Sequence, residues 1–247
     1  MSSFKFVKER HRSIEGLALV GLALVLSSCS NAFGGYRGAT TQGQSEASLY
    51  QGFMITGIVV AGITFLGLFY VLVKYRRRKG TNKIPKQRHS NLPVEVIYTV
   101  IPVLIVIGLF VFTVRSENKI TQVSSNPNVS VDITAFQWGW RFTYSNGVSI
   151  VSQGANYPQL VLPSNETTKV TLVSQDVVHG FYVPAFNFSR YALPGVTNYF
   201  DLTPTTTGTY VGRCSALCGL YHGEMLFSVR VVTPSQFKSW LTQQKAA

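Results

Sequence analysis

Two thiols, an imidazole and a thioether fall within twelve residues, Cys214-Ser-Ala-Leu-Cys218-Gly-Leu-Tyr-His222-Gly-Glu-Met225. All four groups are metal ligands. Their intervals of four, four and three would align them on one face of a helix. A helix rises about 1.5 Å per residue, however, and would hold Cys214 about 12 Å from His222, too far for one compact centre. The flanks Gly208-Thr-Tyr-Val-Gly-Arg and Leu226-Phe-Ser-Val-Arg-Val-Val have the composition of strands, and Gly219 and Gly223 allow tight turns. The stretch therefore predicts a loop between strands, which can fold all four groups inward.

The ligand types narrow the metal. Zinc accepts mixed Cys and His ligation, so a structural zinc site is one reading. A thioether is of little use to zinc, whereas soft copper ions favour thiolate and thioether together. A mononuclear blue copper site needs one Cys, two His and a weak Met. Here there is one Cys more than that. A second thiolate is accounted for if both sulfurs bridge two copper ions, and a second imidazole must then come from elsewhere, with His179 as the candidate.

Cys214-x3-Cys218-x3-His222-x2-Met225, preceded by Asp176-Val-Val-His179-Gly-Phe, closely resembles the dinuclear copper A centre of cytochrome c oxidase subunit II. The resemblance spans nearly the whole mature chain, including a two-helix membrane anchor. It implies that Cys214 and Cys218 bridge the coppers, that His179, His222 and Met225 complete the side-chain set, and that the backbone carbonyl of Ala216 is a further ligand. It also implies electron flow from cytochrome c through the copper pair to haem in subunit I, where oxygen is reduced and protons are pumped. Subunit III is a further expected neighbour, and this chain alone has no oxygen chemistry. The rival reading is a membrane-tethered copper chaperone or zinc-binding lipoprotein. It explains the ligands but not the second-helix motif or Trp138. A quinol oxidase subunit II would share the anchor and sandwich but lack the copper ligands.

Charge placement excludes a nucleic-acid binder despite the formal +12. Eight of the 22 basic residues, from Lys74 to Arg88, lie between two apolar runs with no acid among them. From Ser116 onward there are 8 basic and 6 acidic residues, which leaves that part nearly balanced. Residues 1–28 join a basic start to the apolar run Leu17–Leu26 and read as a signal peptide. Leu26-Ser-Ser-Cys29 looks like a bacterial lipobox with Cys29 as the lipidated residue; an ordinary signal with an incidental Cys, or an uncleaved anchor, are the alternatives. Residues 29–50, rich in Gly, Ser, Thr and Gln, read as a linker.

Residues 51–115 read as a transmembrane hairpin with spans 53–73 and 94–114, each of 21 residues and long enough for a hydrocarbon core of about 30 Å. The basic loop 74–93 is then cytoplasmic. That places residues 116–247 on the external face of a bacterial cell membrane. Glu95 stands at the cytoplasmic end of the second span, as a solvated interface residue or as a proton handler. Its context, His89 to Pro102, is similar to the family's second helix, where a Glu lies near a proton-channel entrance in subunit I; Tyr98 stands where the family usually has Trp.

From Asn128 the period becomes two, with Phe136, Trp138, Trp140 and Phe142 on one face of a strand. Gln137-Trp138-Gly139-Trp140 resembles the family motif whose first Trp receives electrons, although Gly139 replaces a common aromatic. Further strands are predicted near 148–153, 168–174, 198–203, 208–213 and 225–233. Such short, turn-spaced strands indicate an all-β Greek-key sandwich or barrel. The resemblance implies a cupredoxin-like fold. Thr233-Pro234-Ser235-Gln236 predicts a capped C-terminal helix carrying Phe237, Trp240 and Leu241.

Two departures coincide. The family usually has Glu between the bridging Cys, binding magnesium at the subunit I interface, and Lys-x-Asp before a Pro-Gly. Here these positions are Ala216 and Ser189-Arg-Tyr191. A hard cation needs oxygen ligands, so the magnesium site is expected to be lost or rebuilt. The near-balanced charge of residues 116–247 also weakens steering of a basic donor and points to a tethered or acidic cytochrome, or a supercomplex.

Overall fold

A computed structural model describes residues 35–76, 87, 89–153 and 157–246. The expected signal peptide, Cys29 and most of the basic loop lie outside the described residues. Two helices come first, α1 (Thr41–Lys74) and α2 (Leu92–Thr121). Both are long and apolar enough to cross a membrane, and they pack against each other. At 1.5 Å per residue they measure about 51 and 45 Å, so each overruns a core of about 30 Å.

Each helix extends beyond the apolar span predicted within it. α1 begins at Thr41 within the expected linker, twelve residues before the predicted span, and α2 continues seven residues past its own. Polar composition does not stop these turns. Thr40 caps α1 by accepting the Gly43 N–H at 3.0 Å. Ser45, Ser48 and Thr121 bond back to carbonyls four residues earlier. At the other end of the pair, the Glu95 carboxylate accepts the Asn91 N–H at 2.9 Å and closes the first turn of α2.

A sandwich follows: β1 (Val129–Phe136), β2 (Gly139–Tyr144), β3 (Ser149–Gln153), β4 (Gln159–Pro163), β5 (Thr168–Ser174), β6 (His179–Val183), β7 (Phe188–Ala192), β8 (Asn198–Leu202), β9 (Gly208–Cys214) and β10 (Leu226–Val232), closed by helix α3 (Pro234–Ala246). One sheet runs β3-β2-β1-β5-β8 and the other β4-β10-β9-β6-β7. The β1–β5 and β4–β10 pairs are parallel and the rest antiparallel. Inward side chains alternate as a half-buried strand requires. Val131, Ile133 and Ala135 of β1 share one buried core with Phe227, Val229 and Val231 of β10. Phe227 anchors its aromatic part, stacked on Phe181 with centroids 4.8 Å apart and edge-on to Trp140 at 5.1 Å.

The predicted α3 forms with its cap in place. Thr233 Oγ1 accepts from Gln236 N–H at 3.4 Å, and Gln236 Oε1 accepts from Thr233 N–H at 3.1 Å. The single strand predicted through 136–142 does not. Phe136 pairs with Gly139, so Gln137 and Trp138 form the turn of a hairpin. Trp140 and Phe142 enter the core, while Phe136 and Trp138 stay half-buried. Strands β4, β6 and β7 have no counterpart in the predicted set. Each is only five residues long, and β4 and β6 abut prolines that mask a strand signal.

Candidate metal centre

Three neighbouring strands bring the ligands to one end of the sandwich. His179 opens β6, Cys214 closes β9, and Met225 immediately precedes β10. Cys214 pairs with Phe181 across the β6–β9 ladder. Its N–H donates to the Met225 carbonyl at 3.0 Å, which ties the base of the intervening loop, and the Ser215 N–H donates to the Gly180 carbonyl at 3.0 Å. The loop then returns Cys218 over this base, and a short 3-10 turn, His222–Glu224, sets the second imidazole.

The donor atoms converge. Cys214 Sγ lies 3.8 Å from Cys218 Sγ, 3.9 Å from His179 Nδ1 and 3.2 Å from the Ala216 carbonyl oxygen. Cys218 Sγ lies 3.5 Å from His222 Nδ1 and 3.8 Å from Met225 Sδ. His179, Cys214, Cys218 and Met225 are buried, and His222 is partly exposed. Two central sulfurs, each flanked by one imidazole, with a buried thioether and a carbonyl beside them, form a donor set that suits soft copper ions. The thioether is part of the cluster, which a mixed Cys and His zinc site would not need.

In the metal-free site the two thiols are held differently. Burial pushes both thiols up. For Cys214 this is outweighed by hydrogen bonds involving His179 and the Gly180 N–H, which draw its pKa down to about 6. Cys218, buried and facing the charge on Cys214, is pushed up to about 12. Burial would lower the His179 pKa, but its contacts with Cys214 and Asp176 raise it. Burial acts upward on Asp176, yet hydrogen bonds from His179, Gln137 and Val177 hold its carboxyl below the ordinary value.

Asp176 and Gln137 are the residues to which the sequence reading assigned no role. Asp176 Oδ1 accepts from His179 Nε2 at 2.7 Å, which leaves Nδ1 directed at the sulfurs. Its Oδ2 accepts the Gln137 N–H at 2.7 Å. Gln137 Nε2 and Trp138 Nε1 both donate to the Cys218 carbonyl, at 2.8 and 3.2 Å. A carboxylate three residues before a ligand His was the available signal. Gly219 has φ +119°, and a Cβ there would meet Gln137 and Trp138 at 3.2 Å, so the loop must be side-chain-free where the indole crosses it. The outer rim is apolar: Leu217 is 85% and Leu220 81% exposed, beside Tyr221. Glu95 and Ser189-Arg-Tyr191 lie outside this donor cluster. Ser189 Oγ sits 3.3 Å from Ser215 Oγ in the flank of the loop.

Comparison with known proteins gives one family. Residues 32–115 match the cytochrome c oxidase subunit II transmembrane domain, and residues 155–232 match the periplasmic domain of the same subunit. A probable cytochrome c oxidase subunit 2 of Streptomyces avermitilis is 32% identical over 237 residues, covering 78% of this chain and 73% of that protein. Cytochrome c oxidase subunit 2 of Mycobacterium bovis is 30% identical over 297 aligned positions, covering 94% of this chain and 82% of that protein. Among solved structures, the periplasmic domain of subunit II of cytochrome oxidase from Bradyrhizobium japonicum is 29% identical, with a TM-score of 0.46, over 50% of this chain and 98% of that one. This chain belongs to the cytochrome c oxidase subunit II family.

Proposed function

We propose that this membrane protein is the electron-accepting subunit of a respiratory oxidase, taking electrons from a c-type cytochrome at a dinuclear copper A centre and passing them to haem in subunit I. The convergence of Cys214, Cys218, His179, His222, Met225 and the Ala216 carbonyl at one end of the sandwich carries this reading. When bound, a copper pair held by these residues would supply a one-electron couple.

The chain's own residues supply the rest. Cys214 and Cys218 would hold the copper through their sulfurs, and His179 and His222 would bind through Nδ1. Met225 and the Ala216 carbonyl complete the set. Asp176 fixes the His179 tautomer, and the buried walls exclude water. Trp138 is the arrival point for electrons. Its ring lies edge-on to Tyr221 at 5.0 Å and one hydrogen bond from the Cys218 carbonyl, which joins the surface to a ligand residue.

The basic run between α1 and α2 favours a cytoplasmic position for that loop in a bacterial cell membrane. Both helices then cross the membrane and the sandwich stands on the external face, with Cys29 as the lipidated residue ahead of α1 and subunits I and III as neighbours. Of the six carboxylates after Ser116, Asp201 is buried and Asp176 is engaged with His179. Few remain to steer a basic donor, so a tethered or acidic cytochrome is the fitting partner. With Ala216, Ser189 and Tyr191 at the family's magnesium positions, that site is lost or rebuilt from other groups. Glu95 serves proton uptake in addition to closing the first turn of α2, and Glu95→Gln should slow proton-coupled turnover while leaving copper binding unchanged.

Loading the full chain with copper in detergent tests the central reading. A mixed-valence paramagnetic signal, with one electron shared equally by two coppers, is the expected result. A single-copper signal, or a colourless zinc-bound protein, would overturn it in favour of a metal carrier.

A further inference from the structure

The external part of α1 is laced into the sandwich. Thr40 is fully buried. Beside it the Ala39 N–H donates to the Ala185 carbonyl at 2.9 Å, the Thr41 N–H to Thr203 at 3.0 Å, and the Thr205 N–H back to Ala39 at 2.8 Å. Gln42 Oε1 accepts the Thr203 N–H at 3.1 Å. A Cβ on Gly43 would fall 1.9 Å from the Phe186 carbonyl oxygen, and a backbone atom cannot swing aside. Only glycine allows this approach.

The second helix is fastened to the same strip. Asp201, 5% exposed, accepts the Ser124 N–H at 2.7 Å just past the end of α2. Residues 201–205 thus hold the segments next to both helices. Phe186 ends the 3-10 turn that follows β6, the strand that opens with His179. The attachment therefore connects, through one strand, to a metal ligand. A single tether would leave the sandwich free to pivot; attachments beside two different helices fix its orientation.

We propose that residues 39–44 form a positioning strap that makes the membrane helices and the sandwich one rigid body, and so sets the height and tilt of the metal centre against subunit I. The inference rests on the electron-passing reading above for its purpose, though not for its geometry. Thr40 and Gly43 are positioning residues, remote from the ligands.

The test uses Gly43→Val, Thr40→Val and Thr40→Ser in the full chain within its assembled oxidase. Hydrogen exchange at the amides of residues 39, 41, 203 and 205 reports on the strap. The copper spectrum, the rate of copper reduction by the donor, and the rate of onward haem reduction are then followed. Gly43→Val and Thr40→Val should raise exchange at those amides by about tenfold. They should slow the onward step by about tenfold or more through misplacement, with the spectrum and the first rate unchanged. Thr40→Ser, which keeps the capping hydroxyl, should match the wild type. Unchanged exchange would overturn the strap, and raised exchange with an unchanged onward rate would overturn its positioning role. A disturbed copper spectrum would trace the defect to the metal centre and overturn it as well. A wild-type chain without mixed-valence copper would defeat the electron-carrying function itself, while exchange, which needs no metal, would still judge the strap.

Discussion

The two ends of β6 are built by opposite means. At the His179 end the decisive contacts are between side chains: sulfur, imidazole and carboxylate atoms held 2.7 to 3.9 Å apart. At the Phe186 end they are mostly backbone N–H to carbonyl bonds, packed around a residue with no side chain at all. One end selects a ligand by chemistry and the other selects a position by shape. Damage at the two ends should therefore separate cleanly, with metal lost and fold kept at the first, and metal kept and alignment lost at the second.

Cys218→Ser should have the largest effect on that contrast. It removes the sulfur that touches Cys214, His222 and Met225, so the mixed-valence signal should vanish while the metal-free protein still melts cooperatively. Phe227→Ala strikes the core shared by both ends. It should cost about 3–5 kcal/mol of stability, read as a lowered denaturation midpoint of the metal-free chain. If it lowered copper affinity without lowering stability, the division between ends and core would be wrong. Asp176→Ala frees His179 from its orienting partner and should weaken copper binding about 10- to 100-fold, measured by competition with a chelator.

Thr40→Ala, at the opposite end, should cost about 1 kcal/mol through loss of the helix cap and leave copper affinity untouched. The smallest effect is a pH dependence. The carboxyl of Asp176 lies below its ordinary value of 3.8 in the folded state. Its contribution is therefore complete above that value and is lost as pH falls through the lower folded value. Melting curves of the metal-free wild type and Asp176→Asn should separate above pH 4 and converge in acid.

The same contrast explains what could be read from the amino acids. Cys214, Cys218, His222 and Met225 declare themselves because few other tasks call for those types at that spacing, and the apolar runs within α1 and α2 are long enough to name their solvent. His179 followed only from the need for a second imidazole outside the loop. Trp138 was singled out by the resemblance as the electron-entry residue but placed in a strand, because alternation continues across a two-residue turn that has no Gly, Pro, Asn or Asp to mark it. Asp176 passed as part of a motif, since one carboxylate beside a histidine is common. The strap could not be read at all. Ala-Thr-Thr-Gln-Gly looks like linker, and what makes it helix and anchor is the carbonyls of Ala185 and Thr203, more than 140 residues away.

That separation has a consequence for how the molecule is made. Residues 39–44 are synthesised early, at the start of the first long apolar helix, whereas their partners at 184–205 are synthesised near the end. Contacts so distant along the chain close slowly, after local structure has formed. Closure of the strap therefore awaits synthesis of residues 184–205. Until translation reaches Thr205, the first helix stands without the carbonyls that will fasten it, waiting for the domain it will carry.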